Sequence, residues 1–134
     1  MGSRLFIATP MFYPCNYGFI PHTLSDDGDP CDVLVVGDFP VIPGAVIAAK
    51  PVGVLIMEDE KGMDEKIIAV PAPKLNSQFE NVNEIADLPA SLVNKIKHFF
   101  EHYKDLEKGK WVKVKSFENA TKAKELIQEG IDRA

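Results

Sequence analysis

The chain has 134 residues, 46% of them hydrophobic, and a formal net charge of -5, which suits one domain, residues 1–134, with a core of its own. The negative balance excludes a broad nucleic-acid surface, because binding a phosphate backbone needs excess Lys and Arg. No run approaches the roughly 20 apolar residues of a membrane span, and MGSRLFIATP lacks the long apolar core of a secretory signal, so a cytoplasmic protein with no membrane partner is expected.

Gly, Pro and β-branched residues dominate the first two-thirds, and charged helix formers the last third, so strands are expected first and helices last. Met11 to Phe19, MFYPCNYGF, reads as an aromatic strand, and DVLVV at Asp32 to Val36 as a buried one. VIPGAV, Val41 to Val46, is a turn. Val46 to Met57 is a long strand that Pro51 and Gly53 bend or bulge. KIIAV, Lys66 to Val70, is its expected antiparallel partner, across an acidic loop from Glu58 to Lys66 with Gly62 at the turn. Asp87-Leu88-Pro89 is expected to open a helix, Asp87 capping it and Gly109 closing it, with Leu92, Ile96, Phe99, Phe100 and Tyr103 on one apolar face. WVKVK, Trp111 to Lys115, adds a strand. Asn119 can cap a second helix whose stripe is Ala123, Leu126, Ile127 and Ile131. Cys15 and Cys31 fit no zinc spacing and read as free thiols.

Chemistry concentrates in SDDGDPCD, Ser25 to Asp32. Asp27, Asp29 and Asp32 fall within six residues, and Gly28 and Pro30 give a sharp path on which neighbouring carboxylates can converge. Close anions repel unless a cation sits between them, and carboxylate oxygens suit hard cations such as Mg²⁺. Zinc is disfavoured without a His/Cys cluster, and a calcium EF-hand fails because Cys31 takes a ligand position and Gly comes too early. An Asp/Gly/Pro turn before a strand explains the segment equally well. Asp59, Glu60, Asp64 and Glu65, by themselves a solvated charged turn, lie where they could reach the first cluster across the sheet, with Lys66 adjacent. Carboxylates for metal and an ammonium for phosphate oxygen are the equipment of phosphoryl transfer to water. Taken alone, Tyr103 reads as core before function, and Lys104 can be only a helix-end cation. His22, His98 and His102 form no ligand spacing.

Together, FYPCNYGFIPHTLSDDGDPCDVLV, PVGVLIMEDEKGMDEKIIAVP and HFFEHYKDLEKGKWVKV resemble the family I soluble inorganic pyrophosphatases of bacterial type, and DGDPCD fits that family's D-G-D-P-x-D signature. The resemblance implies an α+β fold with a mainly β core: an OB-type five-stranded barrel, incomplete at its amino terminus, with two flanking helices. It implies magnesium-dependent hydrolysis of pyrophosphate to two phosphates, and a homohexamer. By motif position, Asp27, Asp32, Asp59 and Asp64 are implied as metal ligands, with Glu60 behind them, and Asp29 as the base that takes a proton from metal-bound water. Tyr17, Lys66, Tyr103 and Lys104 are implied to hold the phosphates, and Tyr13 to line the same cleft. The family's I-E-I-P and K-Y-E strands have no counterpart before Met11, and Arg4 stands one residue out of register with the family's Arg. A pyrophosphatase weakened in this form is therefore expected, the alternative being a catalytically inactive, metal-binding subunit that oligomerises or regulates.

Overall fold

The computed structural model describes residues 15–37 and 46–134. Tyr13, Arg4 and most of the VIPGAV turn lie outside them. Five strands, β1 (Asn16–Ile20), β2 (Cys31–Val35), β3 (Ala49–Asp59), β4 (Gly62–Pro71) and β5 (Val112–Asn119), form one sheet in the order β1-β2-β4-β3-β5. Helices α1 (Ala90–His102) and α2 (Ala120–Arg133) complete the expected α+β fold. All pairings are antiparallel except β2 with β4. The described strands form an open sheet, with β1 and β5 as its outer members.

Alternation along the strands sorts side chains to two faces. Leu34, Leu55, Met57, Ile68 and Val70 point to one, where Ile96, Phe99 and Phe100 of α1 bury them. Val33, Val35, Val54, Ile67 and Ala69 point to the other, against Ala123, Leu126 and Ile127 of α2. A bulge between Pro51 and Gly53 lets Val52 and Leu55, three residues apart, share the α1 face. Pro51 and Gly53 thus mark the distortion that their positions predict.

Of the boundaries that differ from expectation, three change what a residue does. Asp87 does not cap α1; its carboxylate accepts the Asn83 and Glu84 amides of a preceding 3-10 turn, and α1 begins after Pro89, whose carbonyl receives Leu92 and Val93 N–H. Gly109 closes the connection to β5 (φ +78°), because α1 has already ended at His102 with Tyr103 as its cap. Most of the expected acidic loop is strand: β3 runs to Asp59 and β4 restarts at Gly62 (φ +121°), leaving only Glu60 and Lys61 at the tip. Asn119 caps α2 as expected, accepting Lys122 N–H at 2.9 Å. The α2 stripe is rotated, however, since Ile131 is 48% exposed and Gly130 is buried in its place.

Cys15 and Cys31 are both buried free thiols, and burial pushes the Cys15 thiol up to about 12. Thiolate is the reactive form. A thiol-reactive chromophore at pH 8 is expected to label neither cysteine of the native protein rapidly and both in denaturant. Fast stoichiometric labelling of native protein would contradict this packing.

Candidate active site

The site begins with a register. Parallel pairing of β2 with β4 sets Asp32 beside Lys66, and alternation along β4 puts Asp64 on the same face. Lys66 Nζ lies 3.2 Å from Asp32 Oδ2 and 3.0 Å from Asp64 Oδ2, so one ammonium joins two carboxylates. Lys66 is only 4% exposed. Burial alone would weaken its charge, but Asp64, Tyr17 and Asp32 hold the ammonium above its ordinary range. Its nitrogen also stands 5.0 Å from the Tyr17 ring centre and 5.7 Å from that of Phe100, within cation–π range.

Tyr17, from β1, faces this pair, and its phenol feels the Lys66 ammonium and the Asp32 and Asp64 carboxylates together. Burial raises its pKa against the pull of Lys66, so the phenol stays protonated and remains a donor. A second ion pair forms at the β3–β4 hairpin, where Lys104 Nζ lies 2.9 Å from Asp59 Oδ2 and 3.3 Å from Glu60 Oε1. Burial opposes the Asp59 charge, but Lys104 and the Lys61 amide outweigh it and lower its pKa. Tyr103 links the two groups: it stacks on Phe99 at 5.7 Å and feels Lys66, Lys104, Asp64 and Asp59 together. Burial again keeps its phenol protonated.

Asp27 and Asp29 stand apart from these pairs, on the exposed turn that leads into β2. Ser25 N–H donates to the Asp29 carbonyl at 2.7 Å, and Gly28 N–H to the Ser25 carbonyl at 3.0 Å. The Asp27 carboxylate accepts Asp29 N–H at 2.9 Å. Gly28 makes the bend with φ +86°, a conformation that a side chain would strain. Glu65 turns to the opposite face, toward Lys122 and Glu129, as alternation requires, and so does not join Asp64.

Among the described residues, no three Asp, Glu, His or Cys side chains form a group able to hold a metal. What they offer is carboxylate pairs, Asp32 with Asp64 and Asp59 with Glu60, each around an ammonium. All-oxygen donors in ones and twos fit Mg²⁺, which usually takes one or two carboxylates and completes its shell with water and substrate phosphate. Sequence reasoning overlooked Phe100 beneath Lys66, because its only signal, a place on the apolar stripe of α1, marks core and site alike.

Residues 3–134 match the family model described as inorganic pyrophosphatase. The chain belongs to the inorganic pyrophosphatase family. Among relatives, the inorganic pyrophosphatase of Rickettsia felis is 66% identical over 129 residues, covering 96% of this chain and 75% of the relative. That of Pseudomonas aeruginosa is 63% identical over 126 residues, covering 94% and 72%. The solved inorganic pyrophosphatase of Helicobacter pylori superposes with a TM-score of 0.92 at 50% identity, over 95% of this chain and 75% of that one. The pyrophosphatase likeness thus spans both helices and all five strands of the sheet.

Proposed function

We propose that this chain hydrolyses inorganic pyrophosphate to two phosphates as a magnesium-dependent enzyme and a single domain. The observation that carries the reading is the sharing of one buried Lys66 ammonium by Asp32 and Asp64, beside Tyr17 and Tyr103, in a chain of this family. No observation favours a catalytically inactive regulatory subunit.

In this reading Asp27, Asp32, Asp59 and Asp64 hold magnesium, with Glu60 supporting Asp59 through Lys104. A magnesium ion bound there would supply Lewis acidity toward water and positive charge against phosphate. The protein's own residues do the rest. Asp29 accepts the proton of the attacking water, whose oxygen forms the new bond to one phosphorus as the bridging P–O bond breaks and the second phosphate leaves. Lys66 and Lys104 give the phosphate oxygens fixed positive charge. Tyr17 and Tyr103, protonated because they are buried, donate hydrogen bonds and hold those oxygens in place. Tyr17 and Phe100, packed beside the buried Lys66 ammonium, keep the dielectric around it low, which strengthens its hold on phosphate oxygen.

A cytoplasmic homo-oligomer, a hexamer as in the bacterial family, completes the proposal. No helix among the described residues is long and apolar enough to cross a membrane. Metal dependence has a direct test. Chelator is expected to abolish phosphate release and magnesium salt to restore it, and undiminished turnover in excess chelator would reject the role of the metal.

A further inference from the structure

The acidic turn rests on the last turn of α2. Leu24 N–H donates to the Gly130 carbonyl at 2.9 Å, and Arg133 Nη1 donates to the Leu24 carbonyl at 3.1 Å. Arg133 Nη2 also lies 2.8 Å from Asp26 Oδ1, an exposed pair that adds little by itself. The tightest approach is at Gly130. A Cβ there would stand 2.7 Å from Cys31 Sγ, 3.2 Å from Thr23 Cβ and 3.3 Å from the Leu24 carbonyl oxygen.

Gly130 sits inside a helix, where Ala is the better helix former, so its value lies in letting the neighbouring chain come close. Thr23 and Cys31 are the two feet of the turn. Cys31 N–H donates to Thr23 Oγ1 at 3.0 Å, and that hydroxyl donates to the Ile20 carbonyl at 2.6 Å. Between these feet and the helix lies a cavity of about 40 Å³, lined by Ser25, Asp26, Cys31, Glu65, Glu129 and Arg133 among others. The turn is therefore not packed on α2 along its length, and α2 holds it chiefly at Gly130 and Arg133.

We infer that the last turn of α2, through Gly130 and Arg133, positions the acidic turn and so fixes where Asp27 and Asp29 stand relative to Asp32. Both are positioning residues, since neither is among the groups that hold metal or phosphate. The inference rests on the roles proposed above for Asp27 and Asp29. A methyl at position 130 pushes Cys31 and Thr23 outward and carries the turn with them, and small displacements of reacting groups are costly in rate.

The test combines Gly130→Ala, Cys31→Ala and the double variant, with Arg133→Gln beside them. Readouts are kcat and KM for magnesium pyrophosphate, the thermal midpoint, and hydrogen exchange at the Ser25, Gly28 and Asp29 amides. Gly130→Ala is expected to lower kcat by about tenfold to a hundredfold, with KM little changed and faster exchange confined to the turn. Adding Cys31→Ala vacates the space that the new methyl needs, so it is expected to restore much of the lost kcat, a coupling absent from a mere helix-propensity effect. Arg133→Gln, which adds no bulk against the turn, is expected to lower kcat severalfold in the same pattern. Unchanged kcat in both Gly130→Ala and Arg133→Gln overturns the inference. So does a loss that Cys31→Ala does not relieve, with turn exchange unaltered. A wild-type chain that fails to release phosphate overturns instead the function on which the inference rests, and exchange at the turn, read without substrate, separates the two failures.

Discussion

Asp29→Asn is expected to keep magnesium binding and lose turnover by about 10²- to 10⁴-fold, the usual contribution of a positioned proton acceptor. The substitution is conservative where it stands. The Asp29 backbone holds the turn through Ser25 N–H and the Asp27 carboxylate, whereas its side chain makes no hydrogen bond or ion pair among the described residues. An amide of the same shape leaves that scaffold intact and removes only the basic oxygen. Asp32→Asn is expected instead to weaken magnesium binding itself, because it removes one charge from the carboxylate pair that Asp32 forms with Asp64 around Lys66. Calorimetric titration with magnesium beside phosphate-release kinetics separates the two variants. Equal loss of magnesium binding in both would contradict these roles.

Lys66→Met is the second large effect. The methionine stem fits the apolar passage beside Tyr17 and Phe100, so the main loss is the charge. Two carboxylates then face each other, with about a quarter of each side chain exposed to water. Breaking a buried pair costs roughly 3–5 kcal/mol, and this partial exposure puts the expectation at the lower end, about 3 kcal/mol. Magnesium is expected to recover part of it, since a ligand that binds only the folded state stabilises by mass action. Urea unfolding with and without magnesium chloride measures both effects. An unchanged midpoint in metal-free buffer would show that Lys66 does not offset the two charges.

The strands were legible because their letters carry local causes. Pro51 and Gly53 announced the bulge, Gly28 and Gly62 two of the bends with positive φ, and Asn119 the start of α2. What stayed hidden was partnership across the chain. Nothing in DVLVV or KIIAV says that they lie side by side and parallel, yet that register alone sets Asp32 against Lys66. Glu65 looked equivalent to Asp64 in the sequence, and only the commitment of Gly62 to Pro71 to strand sends it to the other face. Asp87 was misread because a capping carboxylate looks the same whether it serves the helix ahead or the turn behind. Gly130 had a signal, a glycine within a helical stripe, whose meaning required Cys31 and Thr23 to be seen against it.

Phosphate release from magnesium pyrophosphate by the purified chain is the most direct test. Two phosphates are expected for each pyrophosphate consumed, with turnover that Asp29→Asn removes while the fold, followed by circular dichroism, stays intact. Release no faster than the buffer blank from folded, magnesium-loaded wild-type protein would contradict the proposed function.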